Sequence, residues 1–201
     1  MIVKVCGLTP KTELDKLGDL SINWGGLIFV KESPRFVGKD VFALPKEVMK
    51  VGVFKNESFH VILRTAQLWR FRTVQLHGAE TPEDCARLRK AGLKIIKAIS
   101  VSAESNLNDT SSPYVAAVDY FLFDSPGGGT GTPFDWKILE TYTGDIPFLL
   151  AGGIAPGFGE SLLKISHPQF KGIDLNSRFE VSAGHKDLSL INQFLEHELS
   201  R

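Results

Sequence analysis

Gly26-Leu27-Ile28-Phe29-Val30 is an unbroken apolar run, and its continuity points to the fold. A strand with one wet face alternates apolar and polar residues; a run without polar interruption belongs to a strand covered on both faces, as in parallel sheets flanked by helices. Ile146-Pro147-Phe148-Leu149-Leu150 reads the same way. Working outward, eight such runs recur at nearly regular spacing, at about 2–6, 25–30, 49–54, 73–77, 94–101, 119–124, 147–151 and 171–176. Helical patterns lie between most of them. Thr81-Pro82-Glu83-Asp84 combines an N-cap threonine, proline at the first helical position and acids in the first turn, and the helix it opens ends near Gly92. Phe59 to Trp69 and Asp187 to Leu199 carry apolar residues at helical spacing. Strand and helix alternating eight times in 201 residues predicts a single-domain (β/α)8 TIM barrel spanning 1–201. Ala103 to Ser112 is polar, so the helix after strand five is expected to be short or missing; Lys31 to Lys39 reads as a long loop. A doubly wound open sheet fits the alternation too, but eight strands favour closure.

Composition narrows the function classes. Lys plus Arg and Asp plus Glu both number 23, so the formal charge is zero and no basic run marks the chain for nucleic acid. No apolar stretch approaches the roughly 20 residues of a membrane span. The apolar N-terminus is interrupted by Lys4 and reads as a strand, not a signal peptide. The two cysteines, Cys6 and Cys85, form no disulfide framework, which predicts a cytoplasmic, reduced protein. Monomer and homodimer are both left open.

Two proton-transfer groups stand at strand ends. Cys6 closes Ile2-Val3-Lys4-Val5 and precedes Gly7; Asp124 closes Tyr120-Phe121-Leu122-Phe123 and precedes Ser125-Pro126-Gly127-Gly128-Gly129-Thr130-Gly131. In a barrel, all strand C-termini meet at one mouth, where the chemistry sits. A thiol is only a few per cent thiolate at pH 7, a cost of roughly 2 kcal/mol, which a base can bear. A free carboxyl is protonated about once in a thousand at pH 7, a cost of roughly 4 kcal/mol, so an acid needs apolar walls. Each residue also has a plainer reading: cysteine as apolar filler, aspartate as turn cap.

The glycine loop runs into Pro133-Phe134-Asp135-Trp136, which reads as a helix start; bare amides in such a place hold anions. Gly128 and Gly129, with Gly152 and Gly153 after strand seven and Ser177 and Arg178 after strand eight, are the phosphate-binding candidates. Arg35, in the loop above strand two, could clamp a carboxylate. His77 ends strand four and Asp174 lies near the end of strand eight; either could line the pocket or satisfy polar groups of the barrel. His60, His167, His185 and His197 show no metal-ligand spacing, and no nucleotide fingerprint is present.

Together Lys4-Val5-Cys6-Gly7-Leu8-Thr9, Ser33-Pro34-Arg35, Val74-Gln75-Leu76-His77-Gly78, Asp124-Ser125 with Phe134-Asp135-Trp136, Leu150-Ala151-Gly152-Gly153 and Gly184-His185-Lys186-Asp187 resemble the phosphoribosylanthranilate isomerase family of tryptophan biosynthesis. The resemblance covers nearly the whole chain. It implies a cofactor-free Amadori rearrangement of N-(5′-phosphoribosyl)anthranilate to the carboxyphenylamino-deoxyribulose phosphate. By matching position it makes Asp124 the general acid on the ring oxygen, Cys6 the general base at C2′, and Arg35 the carboxylate clamp. The loops after strands six to eight would hold phosphate. One departure is Asn176-Ser177-Arg178, where the family often shows Ser-Ser-Gly; losing glycine removes a place of close backbone approach. The alternatives are another phosphosugar isomerase, such as the histidine-pathway enzyme, whose family has an aspartate where Cys6 stands, or a non-catalytic phosphosugar-binding barrel.

Overall fold

The computed structural model describes residues 1–126 and 134–199. Strands β1 (Ile2–Cys6), β2 (Trp24–Ile28), β3 (Met49–Phe54), β4 (Thr73–Leu76), β5 (Lys94–Ser100), β6 (Tyr120–Asp124), β7 (Phe148–Leu150) and β8 (Phe170–Leu175) close into a parallel barrel, β8 pairing with β1. Each strand falls within two residues of its expected run. The reason is that continuous apolar segments have one stable place, between a packed barrel interior and a covering layer.

The covering layer is lean. Helices α1 (Phe59–Trp69) and α2 (Pro82–Lys90) follow β3 and β4, α3 (Leu107–Ser111) follows β5, α4 (Gly159–Leu163) follows β7, and α5 (Leu188–Gln193) follows β8. Single 3-10 segments, Leu14–Asp19 and Trp136–Thr141, replace helices after β1 and β6. The expected helix start at Phe134-Asp135-Trp136 therefore becomes a 3-10 turn, with Asp135 capping the Lys137 amide. No helix follows β2; the loop returns to the sheet through a bridge between Ile28 and Phe36. The helix after β5 is short, as its polar composition implies. Thr81 and Asp84 form a reciprocal capping box on α2, satisfying amides the first turn leaves unpaired. Beyond β8, a small hairpin of β9 (Glu180–Ser182) and β10 (His185–Lys186) comes before α5.

Side chains alternate along each strand. Val3 and Val5 face outward into the layer shared with the helices, while Lys4 and Cys6 face inward. In the outer layer, Phe123, Tyr142 and Phe148 pack with ring centroids 5.0–5.7 Å apart; burying each such ring stabilises the fold by about 1.5–3 kcal/mol. The barrel interior is filled by Val51, Ile96, Leu122 and Leu149, all fully buried. That filling makes the barrel a plug, and a cavity opens above it at the mouth.

Candidate active site

Above the plug the inward side chains shrink. On β5, Ile96 gives way to Ala98 and Ser100, and on β7 Leu149 gives way to Ala151. The space they vacate is a cavity of about 380 Å³ at the C-terminal ends of the strands, with Cys6 and Asp124 both in its wall. Gly26 on β2 makes room for the thiol: a Cβ there would lie 2.7 Å from Cys6 Sγ and 3.0 Å from Cys6 Cα. Gly26→Ala is expected to destabilise the fold by about 1–3 kcal/mol through overpacking. It should also lower turnover by displacing the sulfur; chemical denaturation and steady-state rates check both.

Asp124 is held from two sides. Its Oδ1 accepts from the Ser125 amide at 2.8 Å, and its Oδ2 lies 3.2 Å from His77 Nε2. His77 Nδ1 is 3.1 Å from Gln75 Nε2. With the Gln75 amide donating to Nδ1, the imidazole presents Nε2–H to the carboxylate. The turn carrying His77 is fixed by a buried knot: the Glu80 carboxylate accepts from the Asn56 and Gly78 amides, and Lys97 Nζ bridges Glu80 to the Gly78 carbonyl. Gly152, at φ +80°, brings the end of β7 so close to β6 that a Cβ there would meet the Ser125 amide nitrogen at 2.5 Å.

Arg35 reaches the cavity wall already engaged. Its Nε and Nη2 donate to Glu180 at 2.8–3.0 Å, while Glu180 also accepts from Lys186 Nζ at 2.7 Å and the Gly184 amide at 3.1 Å. Burial works against the Glu180 charge, but Arg35 and Lys186 outweigh it and hold the carboxyl below its ordinary value. Among the described residues, the end of the guanidinium bearing Nη1 takes no part in this knot.

In the sequence Lys4 was a break in an apolar run and part of a motif carrying the family resemblance, with no role of its own. It sits in the barrel floor with 0% exposure, and its ammonium donates to Asp174 Oδ2 at 2.7 Å. Burial opposes its charge, yet Asp174 and Cys6 outweigh burial and hold Lys4 protonated. Burial pushes the Cys6 thiol above its ordinary value; Lys4 and Lys186 pull the other way, and Asp174 adds to the rise.

Buried polar atoms nearly always find partners. Among the described residues four buried side-chain atoms lack one: Gln75 Oε1, Ser125 Oγ and Asp174 Oδ1, whose residues all line this cavity, and Trp136 Nε1, whose residue does not. Such convergence fits a polar ligand that completes the bonds. A roomier cavity of about 680 Å³ lies on the flank between Trp136 and Phe158, away from the strand ends. It holds neither Cys6 nor Asp124.

Of the candidate residues, Cys6, Asp124, Arg35, His77, Asp174 and Gly152 thus meet at one mouth. Gly153 closes the same turn at φ +70°. Ser177 and Arg178 form a 3-10 turn beyond Asn176, where the described lining of the cavity ends on that side. Gly128 and Gly129 lie outside the described residues. Lys4, Gln75 and Lys186, to which sequence reading gave no role though they stand in its quoted motifs, and Glu180, which it did not single out, are additions.

A family model for N-(5′-phosphoribosyl)anthranilate isomerase matches residues 3–197. The chain belongs to that family. Relatives named N-(5′-phosphoribosyl)anthranilate isomerase include one from Phocaeicola vulgatus, 42% identical, covering 97% of this chain and 96% of the relative. Another, from Parabacteroides distasonis, is 41% identical over 99% of this chain and 94% of its own. Among solved structures, the phosphoribosyl anthranilate isomerase of Thermotoga maritima matches with TM-score 0.80 and 26% identity over 98% of each chain. A family structure in complex with reduced 1-(o-carboxyphenylamino)-1-deoxyribulose 5-phosphate matches with TM-score 0.78 and 26% identity, covering 99% of this chain and 98% of that one. Both solved structures thus match the fold of this chain over nearly its whole length.

Proposed function

We propose that this chain isomerises N-(5′-phosphoribosyl)anthranilate to 1-(2-carboxyphenylamino)-1-deoxyribulose 5-phosphate, a step of tryptophan biosynthesis. The observation that carries the reading is one cavity walled by a thiol and a carboxyl, in a barrel of the isomerase family. Asp124 protonates the furanose ring oxygen as the C1′–O bond breaks, and the anthranilate nitrogen lone pair forms the iminium. Cys6 then removes the C2′ proton, giving an enolamine that becomes the ketone when C1′ is protonated and the enol proton is lost. Asp174 Oδ1 and Ser125 Oγ, both without partners in the cavity wall, are suited to sugar hydroxyls. The phosphate goes to the turns after β6, β7 and β8, with Gly128, Gly129, Gly152, Gly153, Ser177 and Arg178 as its ligands.

We place the reaction in the cytoplasm, carried out by one barrel domain as monomer or homodimer and without a cofactor. Among the described residues no helix is long and apolar enough to cross a membrane. Turnover of freshly prepared phosphoribosylanthranilate, followed by loss of anthranilate fluorescence, tests the reading. No turnover by the purified protein would overturn it.

Arg35 is assigned to the anthranilate carboxylate through its Nη1 end. Arg35→Ala is expected to weaken binding of the product analogue by about 1.5–3 kcal/mol, the range for a hydrogen bond to a charged group. A simple pentose phosphate should lose much less. Equal losses, measured by calorimetry, would remove the carboxylate assignment.

A further inference from the structure

The buried Lys4–Asp174 pair has no evident purpose in stability. Taking an ammonium and a carboxylate out of water is costly, and apolar side chains of similar volume fill a barrel floor as well or better. Its position suggests another purpose. Lys4 and Cys6 are two residues apart on β1, so both face into the barrel, the lysine one layer below the thiol, and the charge of each acts on the other. Asp174 is the register partner of Lys4 across the β1–β8 seam, so the pairing is set by barrel closure.

We propose that Lys4 is a positioning residue for the base: its ammonium, anchored by Asp174, faces the Cys6 sulfur and favours its ionised form, offsetting part of the cost of burial. In the step it serves, the C2′–H bond breaks, the proton goes to the thiolate, and the electron pair moves toward the iminium nitrogen. Lys4 keeps all its protons throughout. A buried thiol left to itself is a strong but rarely ionised base; a fixed cation beneath it raises the ionised fraction faster than it weakens the base.

Other charges also face the sulfur. Asp174 lies across from β8 and Lys186 from β10; Lys186 donates to Glu180 Oε1 at 2.7 Å and Asn176 Oδ1 at 2.8 Å. Arg35, from the loop after β2, is tied to the same Glu180. Lys4 differs from these in its anchor: Asp174 keeps a second oxygen, Oδ1, free of partners in the cavity wall. A sugar hydroxyl donating to Oδ1 would draw carboxylate charge away from Lys4 and leave more of the ammonium's field to the sulfur. Substrate binding and ionisation of the base would then be coupled.

The catalytic consequence rests on the isomerase reading, but the state of the thiol can be measured without substrate. Lys4→Met alone leaves Asp174 buried and unpaired, so the comparison is Asp174→Asn against Lys4→Met/Asp174→Asn, neither of which carries a lone buried carboxylate. The rate of Cys6 alkylation by iodoacetamide is followed from pH 6 to 11, reading the Cys6 peptide by mass spectrometry so that Cys85 does not contribute. Removing Lys4 is expected to raise the midpoint by about one pH unit or more, a tenfold loss of thiolate at neutral pH. It should also lower kcat about three- to tenfold further with KM nearly unchanged. Coincident midpoints overturn the proposal, and so does a fall in kcat without a shifted midpoint, which marks a structural role. Wild-type protein without turnover would defeat the isomerase reading, while the alkylation curves still decide the role of Lys4.

Discussion

Cys6→Ser is expected to lower kcat by about 10²–10⁴-fold, the range for loss of a general base, while KM changes little. Serine nearly keeps the volume and leaves the Lys4–Asp174 pair intact, so the wall of the cavity stays filled and the variant folds. Its hydroxyl does not ionise in the pH range where the enzyme works, so the C2′ proton has no acceptor. The stability profile supplies a second readout. Burial raises the folded thiol above its ordinary value of 9.0. A group whose folded value is raised supports the fold below its unfolded value, and that support is lost as pH rises through the folded one. Wild type should therefore lose stability above about pH 9 more steeply than Cys6→Ser, as thermal unfolding between pH 7 and 10.5 will show. A variant turning over at the wild-type rate would remove Cys6 from the mechanism.

Asp124→Asn is the second large effect, again about 10²–10⁴-fold in kcat, because an amide cannot deliver a proton to the ring oxygen. The variant should fold, because the hydrogen-bond chain around residue 124 can reverse. The asparagine oxygen would face the Ser125 amide, which now donates to Asp124 Oδ1 at 2.8 Å. Its NH2 would face His77 Nε2, which must then accept. His77 accommodates this by moving its proton to Nδ1, and Gln75 by turning its amide so that Oε1 accepts. That oxygen is buried without a partner, and Gln75 Nε2 lies 3.1 Å from Nδ1. Calorimetry on the variant with a product analogue separates chemistry from binding: affinity should be near that of wild type while turnover is lost. Loss of both in parallel would make Asp124 a binding residue.

His77 and Gln75 illustrate how the site divides between sequence and structure. That His77 stands at the end of a strand run was legible to within one residue, because Val74-Gln75-Leu76-His77-Gly78 is a short run stopped by glycine and β4 ends at Leu76. That it faces Asp124 was not, because 47 residues separate them and only the closed barrel sets β4 across the mouth from β6. Arg35 shows the same limit. Its place in a loop above strand two was readable, while the Glu180 that holds it lies 145 residues away.

The sequence by itself determined the eight strands, the order in which they meet helices and turns, and the strand-end residues gathered at the mouth. Each of these depends on local pattern: apolar continuity, capping residues, glycine at turns. It also carried the family resemblance that the matched model upholds. Tertiary structure alone decided what Lys4 is. A lysine inside an apolar run looks like a solvated break until β8 closes onto β1 and sets Asp174 beside it, 170 residues away. Charge pairs across a barrel seam depend on closure register, which no local pattern encodes. The meaning of a buried charge therefore lies in the partner that folding brings to it.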